Sequence, residues 1–159
     1  MNEPHAAALL IHGLGGTEYD LGALGKVLEA GHVSARSPLL PGHGTCPQDL
    51  LGFQWQDWVN AMRVEYRALK AKYGQVHLAG VCLGALVALE VARLEQHEGK
   101  LAVYAPPLFL DGWSIPKKAW LRHLVYWLPA LARRMKVPEC EPYGIKNTRI
   151  RRAIQQRFE

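Results

Sequence analysis

Cysteine is scarce in this chain. There are three in 159 residues, Cys46, Cys82 and Cys140, an odd number without the spacing of a disulfide framework or a zinc site. That excludes a disulfide-stapled secreted scaffold and points to a reduced, cytoplasmic protein. Long hydrophobic runs are lacking too. The apolar run Ala6 to Ile11 is too short for a signal-peptide core or a membrane span. The residues before it, Met1 to His5, carry no positive cluster, so neither export nor membrane insertion is expected. No internal repeat or low-complexity tract interrupts the chain. Acidic residues are short in one region only: residues 1–109 carry 8 Lys/Arg against 10 Asp/Glu, and residues 110–159 carry 11 against 4. These basic side chains are interleaved with Trp, Leu and Val rather than gathered in a block, so no nucleic-acid partner is expected.

What is present is ordinary for a soluble globular domain, with 49% hydrophobic and 21% charged residues. Residues 6–11 read as a strand buried on both faces, stopped by His12-Gly13. Thr17 is a plausible N-cap for a helix carrying Leu21, Leu24, Val27 and Leu28 at helical spacing and ending at Gly31. A second strand is expected within 32–37, before the loop Pro38 to Gly44, whose prolines and glycines break regular structure. Trp55, Trp58, Val59, Met62, Tyr66, Leu69 and Tyr73 mark an amphipathic helix over 54–73. A strand at Val76 to Ala79, a turn at Gly80 to Gly84, a helix from about Leu83 to Glu95 and a strand at Lys100 to Tyr104 complete the pattern. Strands alternating with helices predict an α/β fold with a parallel sheet and helices on both faces. After Asp111 the alternation stops. Trp113, Trp120, Tyr126 and Trp127 lie along a Pro-interrupted helical stretch, so the expected division is a core over 1–110 and a helical cap or lid over 111–159.

The chemistry centres on Gly80-Val81-Cys82-Leu83-Gly84. A nucleophile on a sharp strand-to-helix turn sits in strained backbone, so the residues two before and two after it must be small. Gly80 and Gly84 meet that need. The turn places Cys82 at a helix N-terminus, where unpaired N–H groups and the macrodipole favour negative charge. The alternative is a buried, inert cysteine serving as a small hydrophobe. If Cys82 is a nucleophile, the Leu83 N–H faces the developing oxyanion, and Leu14, directly after His12-Gly13, offers a second donor. Cys46 and Cys140 lack an activating context. His12 is expected to shape its loop rather than act as a base, and His43 to brace its own. His12, His43 and Cys46 form only a weak metal-binding set, so neither a metal nor a cofactor is assigned.

His12-Gly13-Leu14-Gly15-Gly16, Pro41-Gly42-His43-Gly44 and Gly80-Val81-Cys82-Leu83-Gly84, in this order, resemble the bacterial carboxylesterase and monoacylglycerol-lipase branch of the α/β-hydrolases, over residues 6 to 110. The resemblance implies a carboxylic-ester hydrolase acting on a small acyl ester or lipid-like substrate. It assigns the first motif to an oxyanion loop and the third to a nucleophile elbow. The family's elbow usually carries serine, whereas Cys82 is similar to the thiol nucleophile of dienelactone hydrolases and polyhydroxyalkanoate synthases. Two rival readings therefore stand: an acyltransferase or polyester synthase, and a non-catalytic module. In the family the acid and histidine of the triad follow later strands. The chain is therefore expected to be truncated before the last strands, with the Lys100 to Tyr104 strand left as an open edge available for self-association.

Overall fold

The computed structural model describes residues 4–17, 19–44 and 47–108. Four strands and three helices alternate: β1 (Ala6–Ile11), α1 (Leu24–Ala30), β2 (Val33–Arg36), α2 (Trp55–Tyr73), β3 (Gln75–Val81), α3 (Leu83–Leu94) and β4 (Leu101–Tyr104), with a 3-10 segment at Pro47–Gly52. The chain divides into Met1–Leu110 and Asp111–Glu159. The expected cap, Cys46 and Cys140 all lie outside the described residues.

All four strands are parallel, in the order β2-β1-β3-β4. The central strand β1 is buried along its whole length. Its side chains alternate between two cores, as the pleat requires. Leu9 and Ile11 join Val76, Leu78, Val59, Met62, Tyr66, Val87 and Val91 under α2 and α3. Ala8 and Leu10 join Ala79 and the half-buried Leu21, Leu24 and Leu28 on the opposite face. Each fully buried aliphatic side chain contributes about 2 kcal/mol, so most of the burial energy lies on the α2/α3 face. Among the described strands β4 stands at one end of the sheet, with Leu101, Val103 and Tyr104 37%, 40% and 47% exposed.

The expected helix over 54–73 forms as α2. Its N-terminus is closed reciprocally: the Gln54 side chain accepts from the Asp57 N–H, and the Gln54 N–H donates to Asp57 Oδ2 at 2.7 Å. Gly74, at φ +70°, ends it. Trp55 departs from the expected apolar stripe and is 54% exposed. Strand β3 runs beyond its predicted limits, because pairing with both β1 and β4 extends it from Gln75 to Val81.

The first helix corrects the sequence reading. Thr17 is not its N-cap: α1 begins at Leu24, with Ala23 at the cap and no side-chain cap bond. Residues 17–20 instead close a turn of their own, in which the Asp20 N–H donates to the Thr17 carbonyl at 3.1 Å and the Thr17 N–H to Asp20 Oδ1 at 3.2 Å. Gly22, at φ +57°, then reverses the backbone before a helix can propagate. Val27, expected on the buried face, is 64% exposed, and it is Gly25 that faces the sheet, where a Cβ would lie 3.7 Å from both Ala35 Cβ and Leu10 Cδ1.

Candidate active site

Strand order fixes where a site can form. From β1 the chain moves outward to β2, then crosses back over β1 to β3, so the connections after β1 and β3 leave toward opposite faces of the sheet. In open parallel sheets the crevice at such a switch point, beyond the carboxyl ends of the strands, is where ligands bind. Ile11 pairs with Gly80 at that end, which brings the loop starting at His12 beside the turn carrying Cys82.

Cys82 adopts φ +52° and ψ −120°, a conformation seldom taken by a residue with a side chain. It is the N-cap of α3, and its thiol is free and exposed. Its N–H donates to the Tyr104 carbonyl at 2.9 Å, and its carbonyl accepts from the Ala85 N–H at 3.0 Å. The turn tolerates no side chain at either flanking glycine. A Cβ on Gly80 would collide with the Gly84 carbonyl, and one on Gly84 with the Ile11 and His12 carbonyls. Both glycines are therefore close-approach positions, as their spacing predicted.

On the facing loop, a Cβ at Gly13 would lie 3.4 Å from the Cys82 Cβ. This loop is held by polar contacts. The Gly13 N–H donates to Asp20 Oδ2 at 3.1 Å, and the Gly13 carbonyl accepts from the Gly16 N–H at 3.1 Å and lies 2.8 Å from His12 Nδ1. The backbone N–H groups of Leu14 and Leu83 have no hydrogen-bond partner among the described residues. The Leu14 side chain is 61% exposed. Asp20 is the residue that sequence reasoning missed. The spacing Thr17-x-x-Asp20 was its signal, since an acid three residues after a threonine can bond back to the threonine N–H.

His12 is fully buried, and its Nε2 accepts from the Leu40 N–H at 2.9 Å. His43 braces its loop as expected: its Nδ1 lies 3.2 Å from the Pro41 carbonyl, which also accepts from Trp58 Nε1 at 3.0 Å. The His43 ring packs edge-on between His12, at 4.9 Å, and Trp58, at 5.6 Å. Both His12 nitrogens are thus occupied by the backbone. Among the described residues no group of three His, Cys, Asp or Glu side chains is placed to hold a metal.

The perturbed titrating groups sit elsewhere, around the far ends of β3 and α3. Glu95 is held below the usual carboxylate range by its hydrogen bond from Arg67 and then by Arg63, against the opposing effect of burial. Burial, and secondarily Glu95 and Glu98, raise the Tyr66 hydroxyl, which lies 2.9 Å from His97 Nδ1. Burial, then Lys100 and His97, lower His77.

A parallel sheet whose switch point presents a strained, glycine-flanked residue on a strand-to-helix turn defines the hydrolase class of α/β proteins. Over residues 8–155 the sequence matches the model of the alpha/beta hydrolase family, and the chain belongs to that family. It is similar to a carboxylesterase of Bacillus subtilis (strain 168), 29% identical over 101 residues, which cover 63% of this chain and 41% of that protein. It is also similar to a thermostable monoacylglycerol lipase of Bacillus sp. (strain H-257), 29% identical over 84 residues, covering 53% of this chain and 34% of the lipase. The chain thus spans well under half the length of these relatives. In fold it is similar to an extracellular alpha/beta-hydrolase from a Paenibacillus species, with a TM-score of 0.64 at 15% identity, over 95% of this chain and 64% of that one. No helix among the described residues is long and apolar enough to cross a membrane.

Proposed function

We propose that this chain carries the nucleophile and oxyanion loop of a carboxylic-ester hydrolase, with Cys82 as the attacking group. The observation that carries the reading is the backbone of Cys82: strained, exposed, and fixed at a turn that excludes side chains on both sides. Strain of about 1–3 kcal/mol at one residue persists where surrounding structure over-determines it, and it clusters at reactive positions. The two similar relatives, a carboxylesterase and a monoacylglycerol lipase, support a carboxylic ester as the substrate class.

In this reading the Cys82 thiolate attacks the ester carbonyl. The N–H groups of Leu14 and Leu83, which have no partner among the described residues, receive the oxyanion, the C–O bond breaks to release the alcohol, and a thioester remains until water cleaves it. The backbone bonds at both His12 nitrogens leave that ring no lone pair for a thiol proton, so the proton acceptor is another group. Capture of the thioester by a hydroxyl other than water would make the protein an acyltransferase, and the thiol at the elbow is the one feature that favours this second reading.

The test is release of p-nitrophenol from p-nitrophenyl butyrate and a longer-chain homologue by the parent, Cys82→Ser and Cys82→Ala. Release by the parent or the serine form above the alanine form is the expected result. Three equal, background traces would overturn the proposal in favour of a non-catalytic module, and an acylated alcohol among the products would identify the transferase.

A further inference from the structure

We infer that His12 is a positioning residue that sets the direction of the Leu14 N–H, so that this donor faces the oxyanion before any substrate arrives. The inference rests on the oxyanion role proposed above for Leu14.

Nε2 accepts a hydrogen bond from the Leu40 N–H at 2.9 Å, so it carries no hydrogen of its own. Nδ1 lies 2.8 Å from the Gly13 carbonyl oxygen, an atom that only accepts, so Nδ1 bears the hydrogen. The imidazole is thus a neutral ring fixed in one tautomer, and it is fully buried. It donates to the Gly13 carbonyl from one side while the Gly16 N–H donates to the same oxygen at 3.1 Å.

That carbonyl and the Leu14 N–H belong to one peptide unit. In a planar trans peptide the two point in opposite directions. Holding the Gly13 carbonyl toward the imidazole therefore turns the Leu14 N–H away from it, and this N–H has no partner among the described residues. Without the imidazole the Gly16 N–H alone holds that carbonyl, and Gly13, which has no Cβ, offers little steric resistance to rotation of the unit. A rotated peptide would present a carbonyl where the oxyanion needs a donor. At its other nitrogen His12 is bonded to Leu40, so the orientation of the donor is referenced to the Leu40–Gly44 loop as well as to β1.

Two substitutions in the full chain separate the two bonds. In His12→Asn the amide nitrogen falls near the place of Nδ1 and keeps a donor for the Gly13 carbonyl. In His12→Gln the longer amide reaches toward Nε2, keeps an acceptor for Leu40, and loses the Gly13 bond. The measurement is the pre-steady-state burst with p-nitrophenyl butyrate. A C–S bond forms from the Cys82 thiolate to the butyryl carbon, the aryl C–O bond breaks, p-nitrophenolate leaves with the electron pair, and the thiol proton has gone to buffer. Alkylation of Cys82 by iodoacetamide, followed by peptide mass spectrometry, serves as the control. It displaces iodide without forming an oxyanion.

The expected result is a limiting acylation rate about 100-fold lower in the glutamine variant, with half-saturating ester concentration and alkylation rate close to the parent. The asparagine variant should recover most of that rate. Equal acylation by the two variants overturns the inference while leaving the nucleophile reading intact. An acylation loss matched by an equal change in alkylation marks a purely structural histidine and also overturns it. A parent that shows no Cys82 acylation overturns the nucleophile reading, and this inference falls with it.

Discussion

The two loops that meet at the switch point are made rigid by different means. The Gly80–Gly84 turn is held by contact: its backbone lies so close to itself and to the end of β1 that no side chain fits at either glycine. The His12–Gly16 loop is held by hydrogen bonds that converge on the single residue Gly13, whose carbonyl accepts from His12 and Gly16 and whose N–H donates to Asp20. Steric fixation is all or none, since a methyl group overlapping a carbonyl displaces backbone. Polar fixation is graded, each neutral bond being worth about 1 kcal/mol. Cys82, the proposed nucleophile, is therefore placed by the more rigid device, and the Leu14 N–H, its proposed oxyanion donor, by the more adjustable one.

Gly84→Ala should have the largest effect, because its methyl would strike the Ile11 and His12 carbonyls. A loss of about 3 kcal/mol or more in urea unfolding is expected, together with loss of the p-nitrophenol burst. A stable, fully active Gly84→Ala protein would break the comparison. Asp20→Ala sharpens it from the other side. Removing the acceptor of the Gly13 and Thr17 N–H groups should lower the acylation rate by about fivefold to tenfold, with unfolding shifted by only about 1 kcal/mol.

Glu95→Gln, remote from both loops, should change stability alone and by the least. The carboxyl of Glu95 is depressed below its ordinary value of 4.5 by Arg67 and Arg63. Its contribution is therefore complete above that value and is lost as pH falls through the lower, folded-state value. The parent should melt a few degrees higher than the variant at neutral pH. The difference should narrow progressively as pH falls below 4.5, as calorimetry across pH would record.

The elements that sequence patterning revealed are those governed by burial. The run Ala6 to Ile11 is buried throughout because β1 is flanked by strands on both sides and covered on both faces, and Val59, Met62 and Tyr66 follow one helical stripe. The turn at Gly80 to Gly84 was legible because steric exclusion leaves a sequence trace: only glycine fits at 80 and 84. The first helix was misread because a positive φ at Gly22 is invisible in apolar spacing, which Leu21, Leu24 and Val27 satisfy whether or not the backbone turns. The role of Asp20 was hard to read because the donors to its carboxylate are backbone N–H groups, which carry no residue identity. The double engagement of His12 was hidden for the same reason, although its role in shaping the loop was anticipated.

The sheet order also sets a timetable for the growing chain. Strand β1 precedes the other described strands along the chain and is paired on both edges, with Ala6 opposite both Val33 and Gln75. Its β2 side closes early, whereas its β3 side must wait until α2 and β3 have left the ribosome. Through that interval an alanine- and leucine-rich edge stays open to other chains, a window in which a holding chaperone would act. The residue opposite Ile11 is Gly80, so the pairing that closes this edge also brings the Cys82 turn against the His12–Gly16 loop, and the proposed site first takes shape when that hazard ends.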